Sequence, residues 1–256
     1  MKFLVVLCLT IVCSYAEPLR IRGGQEVDIG DYFHVCKRNK EFNTCLQETL
    51  QEALPKWAKG IPELGITQLD PFIEPEITIN FKQNQFQGHA TMRNVRMYGF
   101  SNVLIKNVES ELTDDKLAID VDCFFPRLET EGNFKGQGSF NAIVLNTKGY
   151  YNMSMSEVSA IWKIRGEKEV INGEEFMKIK SFTMRPKVEK MKIYVSDLFP
   201  GNPELNQATN MFLNENWQRI YNELLPYAEK YWSTAMAKIA NEVFLKVPYD
   251  DLIPLN

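Results

Sequence analysis

Few residues in this chain are equipped for chemistry. Two histidines, His34 and His89, occur in 256 residues, and neither has a cysteine or a second histidine at ligand spacing, so no metal is expected. Gly99-Phe100-Ser101-Asn102-Val103 begins like a turn that presents a nucleophilic serine but lacks the closing glycine. Gly136-Gln137-Gly138 lacks the third glycine of a dinucleotide fingerprint, and no cofactor is expected. Both stretches read as turns or strand glycines. Asp114-Asp115 and Glu174-Glu175 are adjacent carboxylates in polar, turn-like surroundings, where solvated loops account for them better than paired acid–base work. The expectation is a protein that is not an enzyme.

Cysteine usage is more informative. Lys2 precedes the apolar run from Phe3 to Cys13, which ends in Ser14-Tyr15-Ala16, a basic start, a short hydrophobic region and a small-x-small cleavage site. Residues 1–16 therefore read as a signal peptide, and residues 17–256 as a single domain that is secreted and extracellular. The run falls short of the ~20 residues a membrane span needs, and no later stretch approaches it, so no transmembrane segment is expected. Cleavage removes Cys8 and Cys13 and leaves Cys36, Cys45 and Cys123. Cys36 and Cys45 flank a short polar stretch that a local loop can close, which predicts a disulfide of about 2–3 kcal/mol. Cys123 alternates with apolar residues and has no basic neighbour, so it reads as a small buried hydrophobe. Asn152-Met153-Ser154 is a glycosylation sequon suited to a loop of a secreted glycoprotein.

Charge excludes one class of partner. The 29 Lys plus Arg against 33 Asp plus Glu give a formal net charge of −4, without a basic footprint for phosphate backbones, so no nucleic acid partner is expected. With 45% apolar residues, the chain can build a substantial core.

The elements that would position these residues follow from periodicity. Thr44-Cys45-Leu46-Gln47 fits a capping box, after which Leu46, Leu50, Ala53, Leu54 and Trp57 recur at helical spacing until Gly60 and Pro62. From about Glu76 to Val195 the pattern alternates, most clearly at Leu117, Ile119, Val121, Cys123 and Phe125. Shorter alternations occur at Ile77-Ile79-Phe81, Val103-Ile105, Phe140-Ala142-Val144, Val158-Ala160-Trp162-Ile164 and Met191-Ile193-Val195. Turns such as Thr113-Asp114-Asp115 and Asn172-Gly173 favour an antiparallel meander. From Glu204 to Lys246 no glycine interrupts two adjacent apolar stripes at helical spacing, and Pro226 is the expected place for a kink. An α+β architecture accommodates both parts: a strongly curved antiparallel sheet wrapped lengthwise around a long C-terminal helix.

Four motifs carry a family resemblance. They are the Cys36/Cys45 spacing, Gly60-Ile61-Pro62-Glu63-Leu64-Gly65 running to Leu69-Asp70-Pro71, Asn214-Glu215-Asn216-Trp217, and Val247-Pro248-Tyr249-Asp250-Asp251. As a set they resemble the insect takeout and haemolymph juvenile-hormone-binding protein family, across essentially residues 17–256. The resemblance implies an elongated fold related to the bactericidal/permeability-increasing lipid-binding superfamily. It also implies an internal tunnel for a small hydrophobic ligand, a terpenoid hormone or fatty-acyl compound. Hormone-binding members carry a second disulfide, whereas here only Cys123 is left over, which favours the takeout-like branch.

The expected function is that of a secreted carrier. Ligand-site candidates combine large apolar area with an inward face: Trp217, Tyr221 and Leu224 on the helix, and Phe140, Val144 and Trp162 on the strands. Two other readings stay open, an interaction protein with a filled core and an extracellular protein or receptor partner, and a hydrolase of hydrophobic esters.

Overall fold

The structure, a computed structural model, describes residue 30 and residues 32–83, 86–140 and 143–255; the signal segment expected over 1–16 lies outside them. Among the described residues seven strands form one antiparallel sheet: β1 (Phe72–Gln83), β2 (Phe86–Tyr98), β3 (Leu104–Leu112), β4 (Lys116–Phe140), β5 (Ile143–Ile171), β6 (Glu174–Met184) and β7 (Lys187–Val195). Its spine is the pair β4 and β5, 25 and 29 residues long, in register from Lys116↔Glu167 to Phe140↔Ile143. At ~3.4 Å per residue β4 alone has a contour of roughly 80 Å, so each spine strand serves two neighbours in succession. Along its free side β4 pairs first with β3 and then with β2, and β5 pairs first with β7 and then with β6. β1 extends the sheet beyond β2.

Strict alternation builds the inner face. Leu117, Ile119, Val121, Cys123 and Phe125 are all buried, as are Val158, Ala160 and Trp162 opposite them on β5, while Ser159, Ile161 and Lys163 face outward. The hairpin between β5 and β6 turns on Asn172 and Gly173, both at positive φ (55° and 88°), as a two-residue connection requires. Two expectations change here. Phe140-Ala142-Val144 is not one strand: β4 ends at Phe140 and β5 starts at Ile143, and residues 141–142 lie outside the described ones. Asn152 is not in a loop but inside β5, paired with Glu131 on one side and Tyr194 on the other, because the spine strand runs on through the sequon.

Helices cover the buried side. α1 (Phe42–Lys56) starts two residues before the expected capping box, so Thr44 lies inside the first turn; Asn39 Oδ1 instead accepts the Glu41 backbone N–H at 2.8 Å. The C-terminal helical region is divided into α2 (Pro203–Glu215) and α3 (Trp217–Phe244), with the short α4 (Tyr249–Leu252) behind them. The break falls at Asn216 and not at Pro226, which sits within α3. Asn216 leaves helical geometry (φ −115°, ψ 19°), and its Nδ2 and backbone N–H both donate to the Phe212 carbonyl, at 2.9 and 3.0 Å. Asparagine is a weak helix former whose side chain bonds nearby backbone, which suits it to a helix junction, while α3 runs on through the exposed Pro226.

Asparagines also fasten the helices to the sheet. On α2, Asn206, Asn210 and Asn214 follow at i, i+4 and i+8, so all three point one way. Each is bidentate to one residue's backbone: Asn214 to Ile193 (3.0 and 2.7 Å), Asn210 to Val195 (2.8 and 2.8 Å) and Asn206 to Phe199 (2.9 and 3.0 Å). Asn241 of α3 holds Ile179 of β6 in the same manner, at 2.8 and 2.9 Å. On Ile193 and Val195 of β7 and Ile179 of β6 the amides thereby satisfy edge-strand N–H and C=O groups that would otherwise be free to pair with another chain, while Asn206 holds the connection at Phe199.

Candidate ligand-binding site

Between α1, the C-terminal half of α3 and the concave face of the sheet the side chains fail to meet, and a cavity of about 230 Å³ remains. α1 contributes Leu46, Leu50 and Leu54, one turn apart. α3 contributes Met236, Ile239, Ala240 and Val243, the same arc continued over two turns, and Phe244. The floor is the alternating face of Ile119 and Val121 on β4, Trp162 and Ile164 on β5, and Phe182 on β6. Leu252 and Ile253 close one end, and Trp57, Ile66 and Leu69 another side.

Polar groups on this wall are few. The Thr49 hydroxyl donates to the His34 carbonyl at 3.5 Å and lies 3.4 Å from Cys36 Sγ. Trp57 Nε1 donates to the Tyr32 carbonyl at 3.3 Å. Trp162 packs between the rings of Phe125 and Phe182, with centroids 6.2 and 6.0 Å away, and its Nε1 is buried without an acceptor among the described residues. The Cys36–Cys45 disulfide, with Cα atoms 5.8 Å apart, ties the segment carrying Phe33 and His34 to the first turn of α1, so two walls of the cavity move together. Cys123 is free and buried on the same sheet face; burial, aided by Asp122, pushes its thiol far above the ordinary range and leaves it unreactive.

The motifs at the two ends of the chain close the cavity's surroundings. Gly60 adopts φ +82°, and a Cβ there would lie 2.6 Å from the Ile66 carbonyl oxygen, so only glycine lets Ile61 and Ile66 bridge and turn Ile66 inward. The Asp70 carboxylate accepts the backbone N–H groups of Gly99 (3.1 Å) and Ser101 (2.9 Å) and the Ser101 hydroxyl. Ser101 thus ties the start of this turn to Asp70. Arg38 binds the C-terminal motif: its guanidinium lies 4.5 Å from the Tyr249 ring centroid, donates to the Ile253 carbonyl at 2.9 Å, and pairs with Asp250 and Asp114. These contacts hold Leu252 and Ile253 against the cavity.

Of the six expected ligand-site residues, Trp162 lines the cavity. Trp217 lies edge-on to Tyr221 with ring centroids 6.4 Å apart, and the Tyr221 hydroxyl donates to the Pro186 carbonyl at 2.8 Å. Burial, with Glu229 nearby, pushes that hydroxyl up to about 12. Leu224 is 47% exposed, while its neighbour Leu225 takes the buried position at 5%. At ~1.5 Å per residue, Leu224 and Trp217 stand about 18 and 28 Å along α3 from Met236. The side chains of Phe140 and Val144 lie outside the described ones, although their backbones pair at the end of the spine, Phe140 with Ile143 and Val144 with Ser139. The α1 stripe Leu46, Leu50 and Leu54 and the later α3 positions Met236 and Ala240 carry a clear sequence signal as apolar faces. What singles them out as a site is that the disulfide and the C-terminal motif bring both faces to one end of the sheet.

Comparison with known proteins bears on this geometry. The profile of the haemolymph juvenile hormone binding protein family matches residues 6–254. The chain belongs to that family. A circadian clock-controlled protein daywake from Drosophila yakuba is 25% identical over 229 residues, covering 84% of this chain and 85% of its own. A putative beta-carotene-binding protein from Schistocerca gregaria is 24% identical over 216 residues, covering 84% of each chain. The crystal structure of Epiphyas postvittana Takeout 1 superposes with a TM-score of 0.70 at 22% identity, covering 86% of this chain and 99% of that one. The curved antiparallel sheet with C-terminal helices is therefore the takeout architecture. Among the described residues no helix is long and apolar enough to cross a membrane.

Proposed function

We propose that this protein is a secreted carrier that holds a small hydrophobic ligand, a terpenoid or fatty-acyl compound, in the cavity between α1, α3 and the sheet. The carrying observation is the cavity itself: about 230 Å³, walled by leucine, isoleucine, valine, methionine and aromatic side chains. Cavities of ~150 Å³ with comparable walls already accept a small aromatic molecule, and the driving force is the apolar area that ligand and wall remove from water, roughly 25 cal/mol per Å². Family membership supports the reading, as does the carotenoid named for the locust relative. The disulfide suits an oxidising extracellular fluid. Among the described residues the wall presents Thr49, His34 and the disulfide as polar elements, with no serine or carboxylate beside them, which supports binding without covalent chemistry. Trp162 is the sequence candidate within reach of a ligand confined to the cavity; Trp217, Tyr221 and Leu224 would serve a ligand long enough to follow α3.

Native mass spectrometry of protein purified from an insect secretory host, before and after extraction with apolar solvent, tests the proposal. The expected result is a released lipid mass and a delipidated protein that rebinds a fluorescent fatty-acid probe. A protein that carries no lipid and binds no apolar probe would instead be a filled-core interaction protein.

A further inference from the structure

The chain contains one Asn-x-Ser/Thr sequence, Asn152-Met153-Ser154, with Met153 and not proline at its middle position. It lies inside β5, and the local backbone decides which way it points. Between the pairs Phe125↔Val158 and Arg127↔Ser156, Glu157 adopts a positive φ of 56°, and there the alternation along the spine changes phase. On one side of that point Val158, Ala160 and Trp162 are buried. On the other side it is Tyr151 that turns inward, its hydroxyl 3.5 Å from that of the buried Thr130. Tyr150, Asn152 and Ser154 therefore share the opposite, convex face, which the helices leave uncovered.

Asn152 has aromatic company on that face. It stands directly opposite Tyr194 of β7 and Glu131 of β4, and side chains so placed are ~5 Å apart. The Tyr194 ring is 55% exposed. The Tyr150 hydroxyl donates to Glu131 Oε2 at 2.6 Å, which leans its exposed ring along β5 toward the row of Asn152. Glu131 thereby pushes that hydroxyl's pKa up, and the Asn152 amide pulls it the other way, so the amide is close by. Aromatic rings gathered on a solvent face make an apolar patch that calls for a cover. A sugar on Asn152 supplies one, since the C–H face of a pyranose packs on an aromatic ring while its hydroxyls stay in water.

We propose that Asn152 carries an N-linked glycan whose first N-acetylglucosamine lies over the Tyr194 ring on the convex face of the sheet. In the transfer, Asn152 Nδ2 displaces a polyprenyl diphosphate from C1 of the donor sugar: the N–C1 bond forms, the C1–O bond breaks, and the proton lost by the amide leaves with the diphosphate. The transferase of the secretory compartment brings that lipid-linked donor and acts on the extended chain before β5 is paired, so the folded sheet has only to leave room above Asn152. The substituted nitrogen keeps one N–H for the Tyr150 hydroxyl. Asn152 is ten residues from Trp162, ~33 Å along β5, so the glycan leaves the cavity unobstructed. This inference rests on the secretion proposed above and not on the ligand.

The test uses the full chain expressed in insect cells. Protein from the medium is mass-measured before and after peptide-N-glycosidase A in H₂¹⁸O, which releases the glycan and leaves a labelled aspartate at its site. One glycan is expected, with the label at residue 152; Asn152→Gln should lose it and Ser154→Thr should keep it. The native glycoprotein should then be nitrated at Tyr194 severalfold more slowly than Asn152→Gln, because the sugar shields the ring. Should that variant fold poorly, enzymatically deglycosylated wild type takes its place. Secreted protein without a glycan overturns the proposal and leaves secretion and the carrier intact. A glycan present with equal nitration rates in the two forms also overturns it, and slow rates in both would assign the cover of Tyr194 to a protein surface. Full-length protein held in the cytosol without a glycan overturns the secretion reading and this inference together.

Discussion

Replacing Ala240 with leucine distinguishes a ligand cavity from a filled core by the sign of one stability change. Ala240 lies on the inner arc of α3 and lines the cavity between Met236 and Val243. Leucine adds three carbons to that position. At about 0.8 kcal/mol per buried CH₂ they contribute about 2.4 kcal/mol if they enter unoccupied space, less ~0.5–1 kcal/mol for fixing the leucine rotamer. Alanine and leucine differ little in helix propensity, so the backbone term is small. The ligand-free protein should gain about 1.5 kcal/mol, which for a chain of this size raises Tm by roughly 3–6 °C. In a core packed to native density the same carbons would force neighbours off their rotamers and cost about 1–3 kcal/mol. Ligand affinity should move the other way, falling about tenfold or more because leucine and ligand compete for one volume. Thermal melts of delipidated protein, with probe titrations on the same samples, read both quantities. A lowered Tm with unchanged probe binding would refute the reasoning, since it would mean that no usable space lies beside Ala240.

Other perturbations test the elements around the site. Asn210→Ala removes both hydrogen bonds to the Val195 backbone, so it should cost about 1–3 kcal/mol and speed hydrogen exchange at Val195, with little change at Ile119 on the spine. Glu131 accepts from the Tyr150 hydroxyl at 2.6 Å and the Tyr98 hydroxyl at 3.0 Å, and these bonds, Tyr150's first, hold its carboxyl below the ordinary glutamate range. For a depressed carboxyl the stability is present above the unfolded value and lost as pH falls through the folded one. Glu131→Gln should therefore lose about 1 kcal/mol at neutral pH and show a shallower decline of stability between about pH 5 and 3; parallel curves would contradict the assignment. Trp217→Ala should leave the affinity for a short apolar probe within about twofold of wild type, because the side chain does not reach the cavity, and should lower stability by less than the ~3–5 kcal/mol of a fully buried tryptophan. Equal losses of short-probe affinity in Trp217→Ala and Ala240→Leu would show that the binding volume extends along α3.

Much of this protein is encoded locally. Alternation from Leu117 to Phe125 assigns one strand face to the interior whatever the neighbours are, because successive side chains of a strand must point to opposite sides. Spacing on α1 and α3 assigns apolar arcs by the same logic at period 3.6, and the short polar stretch between Cys36 and Cys45 places their thiols within bonding reach. Tertiary structure decided where those faces fail to touch. A cavity is a property of the distances between α1, α3 and the sheet, and Leu46, Ala240 and Trp162 carry no mark of it in their own neighbourhoods. The helix break falls at Asn216, whose backbone leaves helical geometry (φ −115°, ψ 19°), a local departure that apolar periodicity does not register. Likewise, Trp57 and Trp162 are equivalent as letters on inward faces. Only the fold sets a backbone carbonyl against one indole N–H and leaves the other without an acceptor among the described residues.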